Sequence, residues 1–162
     1  MTVAVCPGSF DPPTNGHLDV IERASRIFDG VVVCVTKNPS KEPLLAPEER
    51  VELLGEALGH LPNVRVDSYE GLLVDFARRQ GAGVIVKGLR ALSDVEKELQ
   101  MAQMNSGLFN KVDTLFVTTD PRWSFVSSSM VKEVAALGGD VSELVPAAVN
   151  QALRRHFDSM SG

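Results

Sequence analysis

Apolar positions fall into two kinds of stretch that take turns along the chain. Val3-Ala4-Val5-Cys6, Val31 to Val35, Val84-Ile85-Val86 and Thr114-Leu115-Phe116-Val117 are short runs without alternation, and Val64-Arg65-Val66 is a weaker one. Such runs predict strands covered on both faces of a parallel sheet. Between them the apolar spacing changes to three and four. Leu18, Ile21, Ala24, Ser25 and Phe28 mark one helical face that Asp29-Gly30 ends. Pro47-Glu48-Glu49 opens a helix with Val51, Leu54 and Leu58 inward. Leu72 to Gln80 predicts a third helix, stopped by Gly81-Ala82-Gly83, and Ser93 to Ser106 a longer fourth. Ser127 to Gly139 predicts a hydroxyl-capped helix with a glycine stop, and Pro146 begins a last one with Val149, Leu153 and Phe157 inward. Five strands alternating with helices imply a doubly wound α/β fold, a mostly parallel five-stranded sheet with helices on both faces, in one domain spanning residues 1–162.

In such sheets ligands bind at the carboxyl ends of the strands. Those ends carry Pro7 to His17, Lys37 to Lys41, Gly71 to Leu73, Lys87 to Arg90 and Asp120 to Ser129. The first, PGSFDPPTNGH, joins a buried strand to an amphipathic helix. Gly8 and Gly16 permit close backbone approach, Ser9 and Thr14 offer hydroxyls, and the helix start offers unpaired N–H groups and the positive end of its dipole. With Thr14 as N-cap, His17 falls at N3, and both side chains are placed to face one phosphate. Ser127-Ser128-Ser129, with Lys132 one turn on, is a second hydroxyl-rich helix start suited to the far phosphates of a nucleotide. Lys37, Lys41, Lys87, Arg90 and Arg122 all fall at the same sheet edge.

Charge changes this picture in one respect. The net charge is −5, against a polymer-binding surface, so the cations at the edge point to a small, highly anionic substrate and away from nucleic acid. No apolar run approaches the ~20 residues of a membrane span and no signal-peptide pattern opens the chain, so a cytoplasmic location is expected. Cys6 and Cys34 lie in strand-like runs without metal-ligand spacing and are expected as buried free thiols. His60 and His156 are expected to serve helix ends.

Thr14-Asn15-Gly16-His17 resembles the T/HxGH signature of the nucleotidylyltransferase superfamily, and Ser127-Ser128-Ser129 with Lys132 resembles its second phosphate motif. Lys87-Gly88-Leu89-Arg90, then Asp94, Glu96 and Glu98, then Gln100 to Asn105, resemble one branch, the bacterial phosphopantetheine adenylyltransferases. PGSFDPPTNGH, Asn38 to Lys41 and Trp123 to Ser129 extend the resemblance over nearly the whole chain.

The resemblance implies transfer of the AMP part of ATP to 4'-phosphopantetheine with magnesium, giving dephospho-coenzyme A and pyrophosphate. It implies that Ser9, Phe10 and His17 meet ATP, with Gly88, Leu89, Arg90, Glu98, Trp123, Ser124, Phe125, Val126, Ser127, Ser128 and Ser129 completing the nucleotide site. Ser9, Lys41, Leu73 and Lys87 would meet phosphopantetheine; His17, Lys41 and Arg90 would be catalytic. Metal ligands are not evident in the sequence. Ser9 stands where Thr is frequent in the family, Lys87 where Arg occurs, and Lys97 where an aromatic is common. The resemblance further implies a homohexamer, for which Val95, Leu99 and Ala102 on one side of the long helix and Met101, Met104 and Leu108 on another provide more apolar surface than one core face needs.

The chemistry fits these residue types. The acceptor phosphate is largely ionised at neutral pH, its second pKa being about 6, so no strong general base is needed. Alignment and charge stabilisation carry the reaction instead. Two other readings keep the same loop: transfer to nicotinamide mononucleotide or glycerol 3-phosphate, and a non-catalytic nucleotide sensor.

Overall fold

The computed structural model describes residues 1–37 and 42–161. In chain order these form β1 (Val3–Gly8), α1 (Asn15–Ile27), β2 (Gly30–Thr36), α2 (Pro47–Ala57), β3 (Val64–Tyr69), α3 (Leu73–Arg79), β4 (Val84–Leu89), α4 (Leu92–Leu108), β5 (Asp113–Thr118), α5 (Ser128–Ala136) and α6 (Ala147–Ser161). The strands make one sheet in the order β3-β2-β1-β4-β5, and every neighbouring pair is parallel. Strand order reverses between β1 and β4, which opens a crevice at their carboxyl ends.

The unbroken apolar runs are explained by two cores that share the strands. Alternate residues face opposite ways. Ala4, Cys6, Val31, Val33, Val35 and Val86 therefore pack with Val20, Ile21 and Ala24 of α1 and with Leu54 and Leu58 of α2 and its C-terminal turn. Val5, Val32, Cys34 and Ile85 pack on the other face with Val74, Phe76 and Ala77 of α3. A third cluster joins Leu45 and Leu53 to Val131, Val149, Ala152 and Leu153, so α5 and α6 are seated against α2 and the segment just before it. Both cysteines are free and buried, and burial pushes each thiol up to about 12.

Three particulars were not foreseen in the sequence. Arg50, in the N-terminal turn of α2, points inward and is 3% exposed. His156 lies within α6 and meets Glu49 of α2 at 3.2 Å, so it bridges two helices and caps neither. In α4 the buried residue is the polar Asn105, while Leu99, Met101, Met104 and Leu108 are exposed and Val95 and Ala102 half-buried. None of the helices is long and apolar enough to cross a membrane, among the described residues.

Gly88 decides how closely α1 approaches β4. A Cβ there would lie 2.8 Å from Val20 Cγ2, and a valine in a helix has little rotamer freedom with which to move away. Gly88→Ala is expected to destabilise the fold by about 1–3 kcal/mol, the usual range for overpacking. Val20→Ala in the same chain is expected to recover part of that loss, as read by denaturant unfolding.

Candidate active site

The crevice between β1 and β4 is a cleft of about 460 Å³ whose floor is Cys6, Pro7 and Gly8 on one side and Val86, Lys87 and Gly88 on the other. The turn out of β1 is fixed by reciprocal hydrogen bonds. Thr14 caps α1: its Oγ1 accepts the His17 backbone N–H at 3.3 Å, and its own N–H donates to His17 Nδ1 at 3.0 Å. A backbone N–H can only donate, so Nδ1 is the acceptor and the proton of the neutral ring is on Nε2. Phe10 forms the wall behind the imidazole. It has φ 52°, uncommon for a non-glycine residue, and its ring stands edge-on to His17 at 4.9 Å. It can lie there because residue 8 is glycine, where a Cβ would come within 3.0 Å of that ring.

The second helix start faces the same cleft. Ser127 caps α5 by accepting the Met130 N–H at 3.1 Å, and Ser128 Oγ donates to Pro12 O at 2.8 Å. Ser127, Ser128, Ser129 and Val126 all line the cleft, with Ser9, Phe10, His17, Lys87, Gly88, Arg90 and Glu98. The cations there meet partners from α4. Lys87 Nζ lies 2.8 Å from Glu98 Oε2, and Arg90 lies 3.7 Å from Asp94 while donating to Val126 O at 2.9 Å.

Other expected site residues stand back from this cleft. Leu89 ends β4, where its carbonyl accepts from Thr119 N and Oγ1 at 3.0 and 3.2 Å. Trp123 packs against the third apolar cluster, Ser124 Oγ donates to Pro121 O at 3.1 Å, and Phe125 is exposed. Leu73 packs in the core on the far sheet face. Lys41 falls outside the described residues. Of the five edge cations only Lys87 and Arg90 line the cleft among the described residues; Arg122 turns to Asp120 and to the Trp123 ring, and Lys37 is exposed. Lys132 also departs from a phosphate-facing position, its Nζ lying 3.2 Å from Asp11 Oδ2.

The residues that hold the cleft in shape were not evident in the sequence. Asp11, given no role of its own in the sequence reading, accepts the Leu44 and Leu45 N–H groups, each at 2.9 Å. Arg50 donates to Ser9 O at 2.6 Å and Leu45 O at 3.1 Å. Arg23 donates to Thr118 O and to Asp19, which in turn accepts the Asp120 N–H at 3.2 Å. These contacts fix the exits of β1 and β5. Their one sequence signal is weak: a charged residue at a core-facing helical position, as at Arg50.

The same bonds decide how the cleft treats a metal. Asp11 is engaged by Lys132 and two backbone donors, Glu98 by Lys87 and Asp94 by Arg90. No cluster of three His, Cys, Asp or Glu able to hold an ion occurs among the described residues. The described residues therefore do not present the carboxylate cage of a protein-held divalent cation.

Burial, then the Arg90 charge, lower the His17 pKa from 6.5 to about 4. Between those values the unfolded chain binds a proton that the folded chain does not, so His17 makes stability fall as pH drops from about 6.5 to about 4. Nitrogen NMR of the ligand-free protein at pH 6 is expected to show a neutral His17 protonated on Nε2, and His17→Gln is expected to make the acid loss of stability shallower in that window. An imidazolium at pH 6 contradicts the assignment.

Residues 5–134 match the cytidylyltransferase-like family. The chain is 58% identical over 149 residues to a phosphopantetheine adenylyltransferase of Heliobacterium modesticaldum, covering 92% of this chain and 89% of that protein. It superimposes on a solved Vibrio parahaemolyticus protein assigned as a nicotinate-nucleotide adenylyltransferase with a TM-score of 0.69, over 94% of this chain and 99% of that one; at 19% identity this likeness speaks for the fold alone. The β1–α1 turn with its Thr14–His17 pair and the match over most of the length agree, and the chain belongs to the cytidylyltransferase-like family of nucleotidyltransferases.

Proposed function

We propose that the protein transfers the adenylyl group of ATP to 4'-phosphopantetheine, the activity named for its 58% identical relative. The observation that carries this reading is a neutral His17, held as a donor on a helix start that lines a cleft with a second, serine-rich helix start. An oxygen of the acceptor phosphate attacks the α-phosphorus, the bond from that phosphorus to the bridging oxygen breaks, and pyrophosphate leaves. Charge builds on the oxygens around the α-phosphorus. His17 Nε2–H donates to them; its lowered pKa leaves the ring neutral at working pH, with no imidazolium proton to transfer, so it acts by hydrogen bonding and not as an acid. Arg90 and Lys87 stabilise the reacting phosphates by exchanging their α4 carboxylates for phosphate oxygens. Lys41 is assigned to the acceptor phosphate by family resemblance. Ser127, Ser128 and Ser129 with the α5 start hold the departing pyrophosphate.

Magnesium is assigned to the substrate: it arrives on the triphosphate with phosphate oxygens and water as ligands, which suits a cleft whose acids are already paired. A cytoplasmic location follows from such soluble substrates. Met101, Leu108 and the 60% exposed Met104 on one side of α4, with exposed Leu115 of β5, support assembly of copies through this face, and a hexamer is the assembly that the family resemblance implies.

Magnesium-dependent pyrophosphate release is expected with ATP and 4'-phosphopantetheine, with dephospho-coenzyme A as product, and not with nicotinamide mononucleotide or glycerol 3-phosphate. ATP binding without release in any arm makes the protein a nucleotide sensor. His17→Ala is expected to lower kcat on the order of 100 to 1000-fold while ATP affinity is kept; near-normal turnover rejects the role of His17. In light scattering at micromolar concentration the protein is expected to be oligomeric and Met104→Glu to dissociate it; a monomeric unaltered chain contradicts the assembly.

A further inference from the structure

Lys132 and Asp11 form an ion pair that the reaction, as derived above, does not use. Asp11 is 7% exposed, and Lys132 is half-buried. A buried carboxylate is costly to desolvate unless donors surround it. This one has three: the N–H groups of Leu44 and Leu45 and the ammonium of Lys132. A second bond runs parallel to the ion pair, from Ser128 Oγ to the carbonyl of Pro12, the residue after Asp11. Together they tie the β1–α1 loop to the first turns of α5, across 121 and 116 positions of sequence. From the other side, Arg50 grips Ser9 O and Leu45 O, so the loop is braced between α2 and α5. Each helix that the pair connects presents a capped N-terminus to the cleft, through Thr14 on α1 and Ser127 on α5.

We propose that Asp11 and Lys132 are positioning residues: their ion pair sets the separation of the α1 and α5 N-termini so that both grip one polyphosphate, and Lys132 does not itself touch phosphate. This rests on the adenylyl-transfer reading for its ligand. Helix N–H groups act over a short range, and a misplacement of about 1 Å costs on the order of 100-fold where alignment carries a reaction. A mispositioned α5 therefore loses the outer phosphates while the nucleoside end of the ligand keeps its contacts.

Calorimetric affinities for ATP and AMP, measured on the full chain, test this. The preference for ATP over AMP is expected to fall about tenfold in Asp11→Asn, about tenfold in Lys132→Met and no further in the double variant, because both changes break one contact. Lys132→Arg is expected to keep the preference. In Lys132→Met the dependence of ATP affinity on salt is expected to stay as in the unaltered chain, since no phosphate contact is lost. A flatter salt dependence in Lys132→Met, or an ATP preference that holds or rises in Asp11→Asn, makes Lys132 a phosphate ligand and overturns the proposal. Lower melting temperatures with the preference intact also overturn it, by reducing the pair to a structural contact. Should Asp11→Asn not fold, Lys132→Met decides the matter through its salt dependence. Failure of the unaltered chain to turn over 4'-phosphopantetheine rejects the reaction but leaves these binding ratios to judge the pair.

Discussion

The reciprocal hydrogen bonds between Thr14 and His17 determine what the cleft is able to do. They complete the N-terminal turn of α1, which lets the chain leave a buried strand for a helix within a few residues. They also spend Nδ1 as an acceptor, which fixes the tautomer and turns the imidazole into a donor on its other side. Burial then keeps the ring uncharged near neutral pH. One local motif thus supplies the cap, the orientation and the protonation state. A neutral donor suits a reaction in which charge moves among phosphate oxygens and the nucleophile arrives already ionised.

The electrostatics of the cleft follow a related logic. Lys87 and Arg90 line the cleft of an acidic chain, and α4 supplies carboxylates that hold both in position. The Lys87–Glu98 and Arg90–Asp94 pairs are partly exposed, and pairs of that kind contribute about 0–1 kcal/mol. They are therefore cheap to break. The buried charges behave differently. Asp11 and Arg50 sit where water is scarce, surrounded by backbone donors and acceptors, and serve to fix loops. Exposure separates the charges that line the cleft from those that fix its loops.

The same helix that feeds these acids to the cleft leaves apolar residues exposed. Its buried position is Asn105, and its methionines and leucines face outward. A mixed helix of this kind has little amphipathic preference of its own, and its large apolar residues are left exposed instead of packing on the sheet.

The amino-acid sequence by itself determined the secondary structure, the parallel sheet and the two capped helix starts that line the cleft. Each depends on residues within a few positions of one another: unbroken valine runs for strands covered twice, Thr14 and His17 for one cap, Ser127 for the other. The edge cations were legible as a group, but their individual roles were not. Whether Lys132 meets phosphate or Asp11, whether Arg50 points to solvent or to Ser9, and whether Lys87 stands alone or beside Glu98 depend on partners up to 121 positions away. Periodicity and capping are short-range and do not encode such distances. Only the packing of α2, α4 and α5 around the sheet edge brings those groups together, and with them the shape of the cleft.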